Sequence, residues 1–109
     1  MTSPEPIRLL VMTCPEDQAD RLLGTLLAER LVACGNIIPG VLSRYWWQGE
    51  LCRDAEVLVI METAADRVDA AIARLAAIHP YEVAKILAFT PVAGHAPYLE
   101  WVHQVTRAP

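Results

Sequence analysis

A chain of 109 residues suits one domain, and 54% apolar side chains with a mean hydropathy of +0.29 exclude disorder. A net charge of −4 with nine scattered basic residues excludes a phosphate-backbone binder, and no apolar run approaches the ~18 residues of a membrane span. So much apolar side chain is hard for a monomer of this size to hide, which points to an oligomer.

Residues 1–6, Met-Thr-Ser-Pro-Glu-Pro, read as a flexible arm ahead of a single domain over 7–109. The arm lacks the basic-then-apolar order of a secretory signal, so the expected address is the cytoplasm. Ile7 to Met12 is a short apolar run, predicted as a buried strand. Pro15 then opens a helix whose first turn holds Glu16, Asp17 and Asp20, acids that complement the positive end of a helix dipole. Ala19, Leu22, Leu23, Leu26, Leu27 and Leu31 form its inner stripe, and Gly35-Asn36 is the predicted exit.

An extended stretch from Asn36 follows, interrupted at Pro39-Gly40 as a bend or bulge and continued from Val41 to Trp47. Gln48-Gly49 supplies a turn, and a second long strand runs from about Leu51 to Thr63. Together they predict a long hairpin. Thr63, with Asp66 three residues on, resembles a capping box for a helix carrying Val68, Ala71, Ile72, Leu75 and Ile78 on one face. His79-Pro80 stops that helix, because the residue before a proline is pushed out of helical backbone. Val83 to Thr90 is a fourth strand, and Pro97 opens a last helix with Leu99, Val102 and Val105 inward and Trp101 free for a partner surface. The order predicts an α+β, ferredoxin-like βαββαβ sandwich: one antiparallel sheet, two helices on one face, and an extra C-terminal helix. The uncovered sheet face and the long hairpin call again for partner chains.

Cys14, Cys34 and Cys52 are odd in number and widely spaced, with no CxxC, which excludes a disulfide framework and a zinc ribbon. Any metal site must be assembled by the fold or by several chains. Cys34, at the inner end of the leucine-rich helix, reads as a buried inert thiol. Cys14 precedes a helix start. It is either a thiol made reactive by the dipole or a small residue filling the turn. His79 at a helix end is either a cap for the negative dipole end or, with a thiolate or carboxylate, a metal ligand. Strand alternation sends Tyr45 and Trp47 to one face and Trp46 to the other. A hairpin lying across another subunit would bury both faces.

Four stretches in one register, Leu31 to Gly40 (LVACGNIIPG), Ser43 to Gly49 (SRYWWQG), His79 to Val83 (HPYEV) and Tyr98 to Trp101 (YLEW), resemble the CutA divalent-cation tolerance family. The resemblance implies a cytoplasmic homotrimer without enzymatic activity or organic cofactor, linked to tolerance of copper and other divalent cations and similar in assembly to the PII signalling proteins. Family proposals for metal involve a Cys near the end of the first strand and His residues before the Pro-Tyr. Here His79 matches by position and Ile78 precedes it in place of a second His; the first-strand Cys position falls on Met12, with Cys14 two residues later, both soft sulfur substitutes, and Glu82 is the nearest further ligand. Tyr45, Trp46, Trp47, Tyr81 and Trp101 are expected at ligand clefts or interfaces. The chain departs from the family's usual Lys at Glu62 and from its usual Pro-Glu at Ala84-Lys85, so residues 62 and 85 are expected to pair with reversed polarity, within or between subunits. The first rival reading is a PII-like module binding a small metabolite. The second is an enzyme with Cys14 as nucleophile and His79 as base.

Overall fold

The computed structural model describes residues 6–107, so the arm expected over 1–6 lies, apart from Pro6, outside the described residues. The elements are β1 Ile7–Cys14, α1 Glu16–Ala28, β2 Cys34–Trp47, β3 Glu50–Ala64, α2 Val68–Ile78, β4 Ile86–Phe89 and α3 Ala96–Val105, with a 3-10 turn at Ala65–Arg67. The strands form one antiparallel sheet in the order β2-β3-β1-β4, the ferredoxin-like arrangement that the sequence predicts.

Alternation along the strands sorts the side chains. Leu10, Met12 and Cys14 of β1 share one sheet face with Val57, Val59 and Met61 of β3, and all are buried. Ala19, Leu22 and Leu26 of α1 and Ala71 and Leu75 of α2 close the core over that face. The opposite face carries Leu9, Val11, Leu58 and Ile60, flanked by Ile38, Leu87 and Phe89. Phe89 there is 49% exposed.

The hairpin outruns the sheet. β1 meets β3 only from Val57 to Ala64, whereas Val41–Trp47 pairs with Glu50–Glu56 alone. The bulge falls between Ile38 and Val41, at the predicted Pro39-Gly40. Gln48 and Gly49 form the tip with φ of 51° and 81°, the left-handed pair that a two-residue hairpin turn requires. The ribbon stretches the chain to 53 × 28 × 22 Å.

Three expectations need correction. α1 ends at Ala28, and Gly35-Asn36 already belongs to β2. Arg30 takes the left-handed exit at φ 55°, with Leu31 N–H donating to the Leu26 carbonyl at 2.9 Å and Arg30 N–H to the Leu27 carbonyl at 3.1 Å. That is a Schellman exit built without glycine. Thr63 does not cap α2. It sits buried in β3 and donates its hydroxyl to the Leu31 carbonyl at 2.6 Å. β4 is four residues long, Ile86–Phe89, against the predicted Val83 to Thr90, because it pairs only with Leu9–Met12. Beyond Met12 the next carbonyl of β1, on Thr13, accepts a hydrogen bond from the His79 ring.

Gly35 lies against the core. A Cβ there would stand 2.5 Å from Leu23 Cδ1 and 3.1 Å from Met61 Cγ, so Gly35→Ala overpacks the α1–β2 contact. Urea unfolding should show a loss of about 1–3 kcal/mol; an unchanged midpoint would mean that Leu23 swings aside freely.

Candidate functional site

The end of α2 organises the site. His79 follows the last helical residue with extended backbone, as Pro80 demands, and the residue is 7% exposed. Its Nδ1 accepts the Tyr81 backbone N–H at 3.1 Å. Nε2 therefore carries the ring proton and donates to the Thr13 carbonyl at 2.9 Å. The ring also lies 4.8 Å from that of Tyr81. His79 thus fixes the loop after α2 to the end of β1, with both nitrogens engaged.

The loop aims Tyr81 at β3. Its hydroxyl donates to Glu56 Oε2 at 2.9 Å, and Glu56 is itself buried. Burial, then the Glu56 carboxylate, pushes the Tyr81 hydroxyl well above its usual range. On the ribbon, Tyr45 donates to Asp54, its diagonal neighbour across the hairpin, and this bond pushes the phenol up to about 12. Between them lies a cleft of about 750 Å³, lined by Val41–Trp47, Thr13, Glu56, Leu58, Pro80–Val83 and Lys85. This is the size of a small-ligand pocket, with an apolar and aromatic wall and a few polar groups.

The structure brings Tyr45, Trp46, Trp47, Tyr81, Glu82 and Lys85 together on this one cleft. His79 lies buried behind Tyr81, and Cys14 is fully buried in the core. The Cys14 thiol is pushed up to about 11 by burial first and then by the Glu56 and Asp17 charges. The helix start therefore does not make it reactive, and the turn-filling reading stands. The set His79, Cys14 and Glu82 does not fit a cation within one chain. The imidazole has no free lone pair and the thiol is buried and protonated. Among the described residues no group of three or more His, Cys, Asp or Glu could hold a metal. The same two facts remove the Cys14–His79 nucleophile and base.

Glu62 and Trp101 lie elsewhere. Glu62 is opposite Leu9, whereas Lys85 precedes Ile86, which is opposite Met12. That is four strand steps, roughly 13 Å, so the two do not pair within the chain. Glu62 Oε1 instead meets the Cys34 thiol at 2.8 Å and the Tyr98 hydroxyl at 3.1 Å, and Cys34 Sγ and Tyr98 Oη are 2.9 Å apart. Cys34 is half-buried and hydrogen-bonded, not the buried inert thiol expected. Burial, then the Glu62 bond, pushes it up to about 11. The Trp101 ring lies 5.8 Å from that of Tyr98 and remains 42% exposed. Glu56, Asp54 and Tyr98 were missed from sequence because only strand register and helix docking bring them to their partners.

A family model described as CutA1 divalent ion tolerance protein matches residues 8–105. Mouse Protein CutA is 38% identical over 106 residues, which make up 96% of this chain and 60% of the mouse protein. The chain spans about three fifths of the length of the mammalian and plant relatives that it matches. Among solved structures, CutA1 from Oryza sativa is 36% identical with a TM-score of 0.91, covering 99% of this chain and 100% of that one. The PII-like protein CutA from Nostoc sp. PCC 7120 is 29% identical with a TM-score of 0.86, over 91% of this chain and 96% of that one. CutA from Archaeoglobus fulgidus, described as periplasmic, is 27% identical with a TM-score of 0.88, over 92% and 98%. Among the described residues no helix is long and apolar enough to cross a membrane.

Cys14 and Cys34 both ionise near 11 in the fold, against an ordinary 9.0. The unfolded chain loses these protons first as pH rises. The stability tied to the two thiols is therefore complete below pH 9 and is lost as pH climbs from 9 to 11. Urea midpoints should fall across that window, and a variant carrying both Cys14→Ser and Cys34→Ser should fall less steeply; parallel profiles would refute the linkage.

Proposed function

The chain belongs to the CutA1 divalent ion tolerance family, and we propose that it acts in tolerance of copper and other divalent cations as a homotrimer. In this reading it binds a cation or small ligand in clefts between subunits, works in the cytoplasm, and catalyses no reaction. The observation that carries the reading is the cleft beneath the ribbon. Half of its lining lies on a hairpin segment that no other strand of this chain supports. An isolated two-stranded ribbon is marginal in water, so a second chain is needed to steady it and to close the cleft.

The apolar sheet face supports the same assembly. Ile38, Leu87 and Phe89 expose large side chains around a continuous apolar stripe, and Trp46 at the ribbon is 70% exposed. A cation in the cleft meets the carboxylates of Glu56 and Glu82 from this chain, with further ligands from a neighbour. A second reading, a PII-like module for a small metabolite, draws on the cleft's size and on the lack of a three-ligand group within the described residues.

Sedimentation should give a three-chain mass for the native protein and a one-chain mass for Leu87→Glu. A well-folded lone native chain at dilute, near-neutral conditions overturns the trimer. Calorimetry of the demetallated protein should show stoichiometric heat with copper, zinc or cobalt, weakened at least about tenfold in Glu56→Gln. No heat at micromolar metal would reject the cation and favour the metabolite.

A further inference from the structure

Five charged residues lie on the ribbon between Val41 and Glu56, and the pleat sorts them by sign. Arg44 and Arg53 are direct cross-strand partners, so both leave from one face. Glu50, Asp54 and Glu56 stand an odd number of residues from Arg53 along β3 and take the opposite face. Like charges directly opposite each other destabilise a strand pair, and here no other strand supports the pair. Among the described residues neither Arg44 nor Arg53 has a hydrogen bond or an ion pair. Leu42, Trp46 and Leu51 share their face, and each is more than half exposed. On the acidic face Tyr45 holds Asp54 and Tyr81 holds Glu56.

We propose that the basic face of one ribbon covers the acidic face of the ribbon of a second copy, with Arg44 and Arg53 set against Glu50 and Asp54 across the subunit boundary. A second copy is the occupant because the chain carries both halves of the contact, one on each face of the same ribbon. Two different patches meeting head to tail make a heterologous contact, the kind that closes a ring about a rotation axis. Arginine suits it, since a planar guanidinium forks onto a carboxylate and stacks on an aromatic face. The acidic face offers both, with the Tyr45 and Trp47 rings beside its carboxylates. Asp54 is already oriented by the Tyr45 hydroxyl. The exposed Leu42, Trp46 and Leu51 lose water in the same step that pairs the guanidiniums. Resting on the trimer proposed above, this contact gives it an order: each cleft, walled in part by Tyr45, Trp47 and Glu56 of the acidic face, is closed by the basic face of a neighbour. Glu56 and Glu82 stay with the cleft.

The test is the rate of subunit exchange, read as energy transfer between two pools of the whole chain labelled at the amino terminus with donor or acceptor dye. A neutral double variant, Arg44→Gln with Arg53→Gln, should exchange at least about tenfold faster than the native protein, because it takes the guanidiniums from the neighbour's carboxylates. Arginines without a partner predict the opposite sign, since their removal relieves a like-charge pair and steadies the ribbon. An acidic double variant, Arg44→Glu with Arg53→Glu, should exchange faster still, and adding Glu50→Lys and Asp54→Lys to it should slow exchange again. Raising sodium chloride from about 0.1 to about 0.5 M should speed exchange more in the native protein than in the neutral variant. A neutral variant that sediments as a folded single chain supports the contact in the same way. Exchange unmoved or slowed in the neutral variant, or a fourfold reversal no slower than the acidic pair, overturns the contact while the trimer stands, and leaves the basic face to an acidic partner of another kind. A native protein that sediments as single chains overturns the trimer, and the contact with it.

Discussion

Two helices cover one face of a four-stranded sheet, and the rest of the molecule answers to the apolar face they leave. Burial of Leu10, Met12, Val57, Val59 and Met61 beneath α1 and α2 accounts for one side of the central strands. The other side of the same strands is also apolar, at Leu9, Val11, Leu58 and Ile60. A sheet that is apolar on both faces is the signature of a strand layer buried twice. On that second side α3 brings Tyr98 to Glu62, while Leu87 and Phe89 stay about half exposed. The overhanging ribbon makes the same demand from a different direction, since its aromatic residues lie on both of its faces and none reaches the core.

Within the single chain, polar groups tie the irregular segments to the regular elements. His79 ties the loop after α2 to the Thr13 carbonyl, and Thr63 ties the chain after α1 to β3 through the Leu31 carbonyl. Arg30 and Arg67 donate to the Val105 and Thr106 carbonyls at the end of α3. Each bond satisfies a carbonyl that regular structure has abandoned. Among the described residues, every buried side-chain nitrogen and oxygen has a partner. A histidine in such a place is occupied, which is why an imidazole beside a strand end and a thiol is not by itself a metal site.

Element order, sheet layout, hairpin, bulge and tip were all legible from period and punctuation. Alternation in Val41–Trp47, positive-φ chemistry at Gln48-Gly49 and Pro80 after His79 are local signals with local consequences. The failures share a cause. Gly35-Asn36 looked like a helix exit by composition, but Arg30 accepted the left-handed position because Leu31 gains core packing one residue later. Thr63 and Asp66 matched a capping box, yet the strand pairing of Ala64 with Ile7 carried the chain past it. Half the cleft could be anticipated from the Tyr45-Trp46-Trp47 and His79-Pro80-Tyr81-Glu82 clusters. Glu56 could not, because nothing in its surroundings distinguishes a carboxylate held by a tyrosine 25 residues away from one in solvent.

The two carboxylates on the outer face of β3 obey one rule. Glu56 and Glu62 bracket Leu58 and Ile60, and each receives a phenol from the C-terminal half of the chain, Tyr81 at one end and Tyr98 at the other. Burial pushes both hydroxyls upward, so each stays protonated and keeps donating across the neutral range. The apolar middle is free to pack while the anionic ends keep fixed positions. A carboxylate left unanchored beside an apolar interface would cost desolvation without a compensating bond. Anchored by phenols, it marks each end of the stripe with an oxygen held in a fixed position.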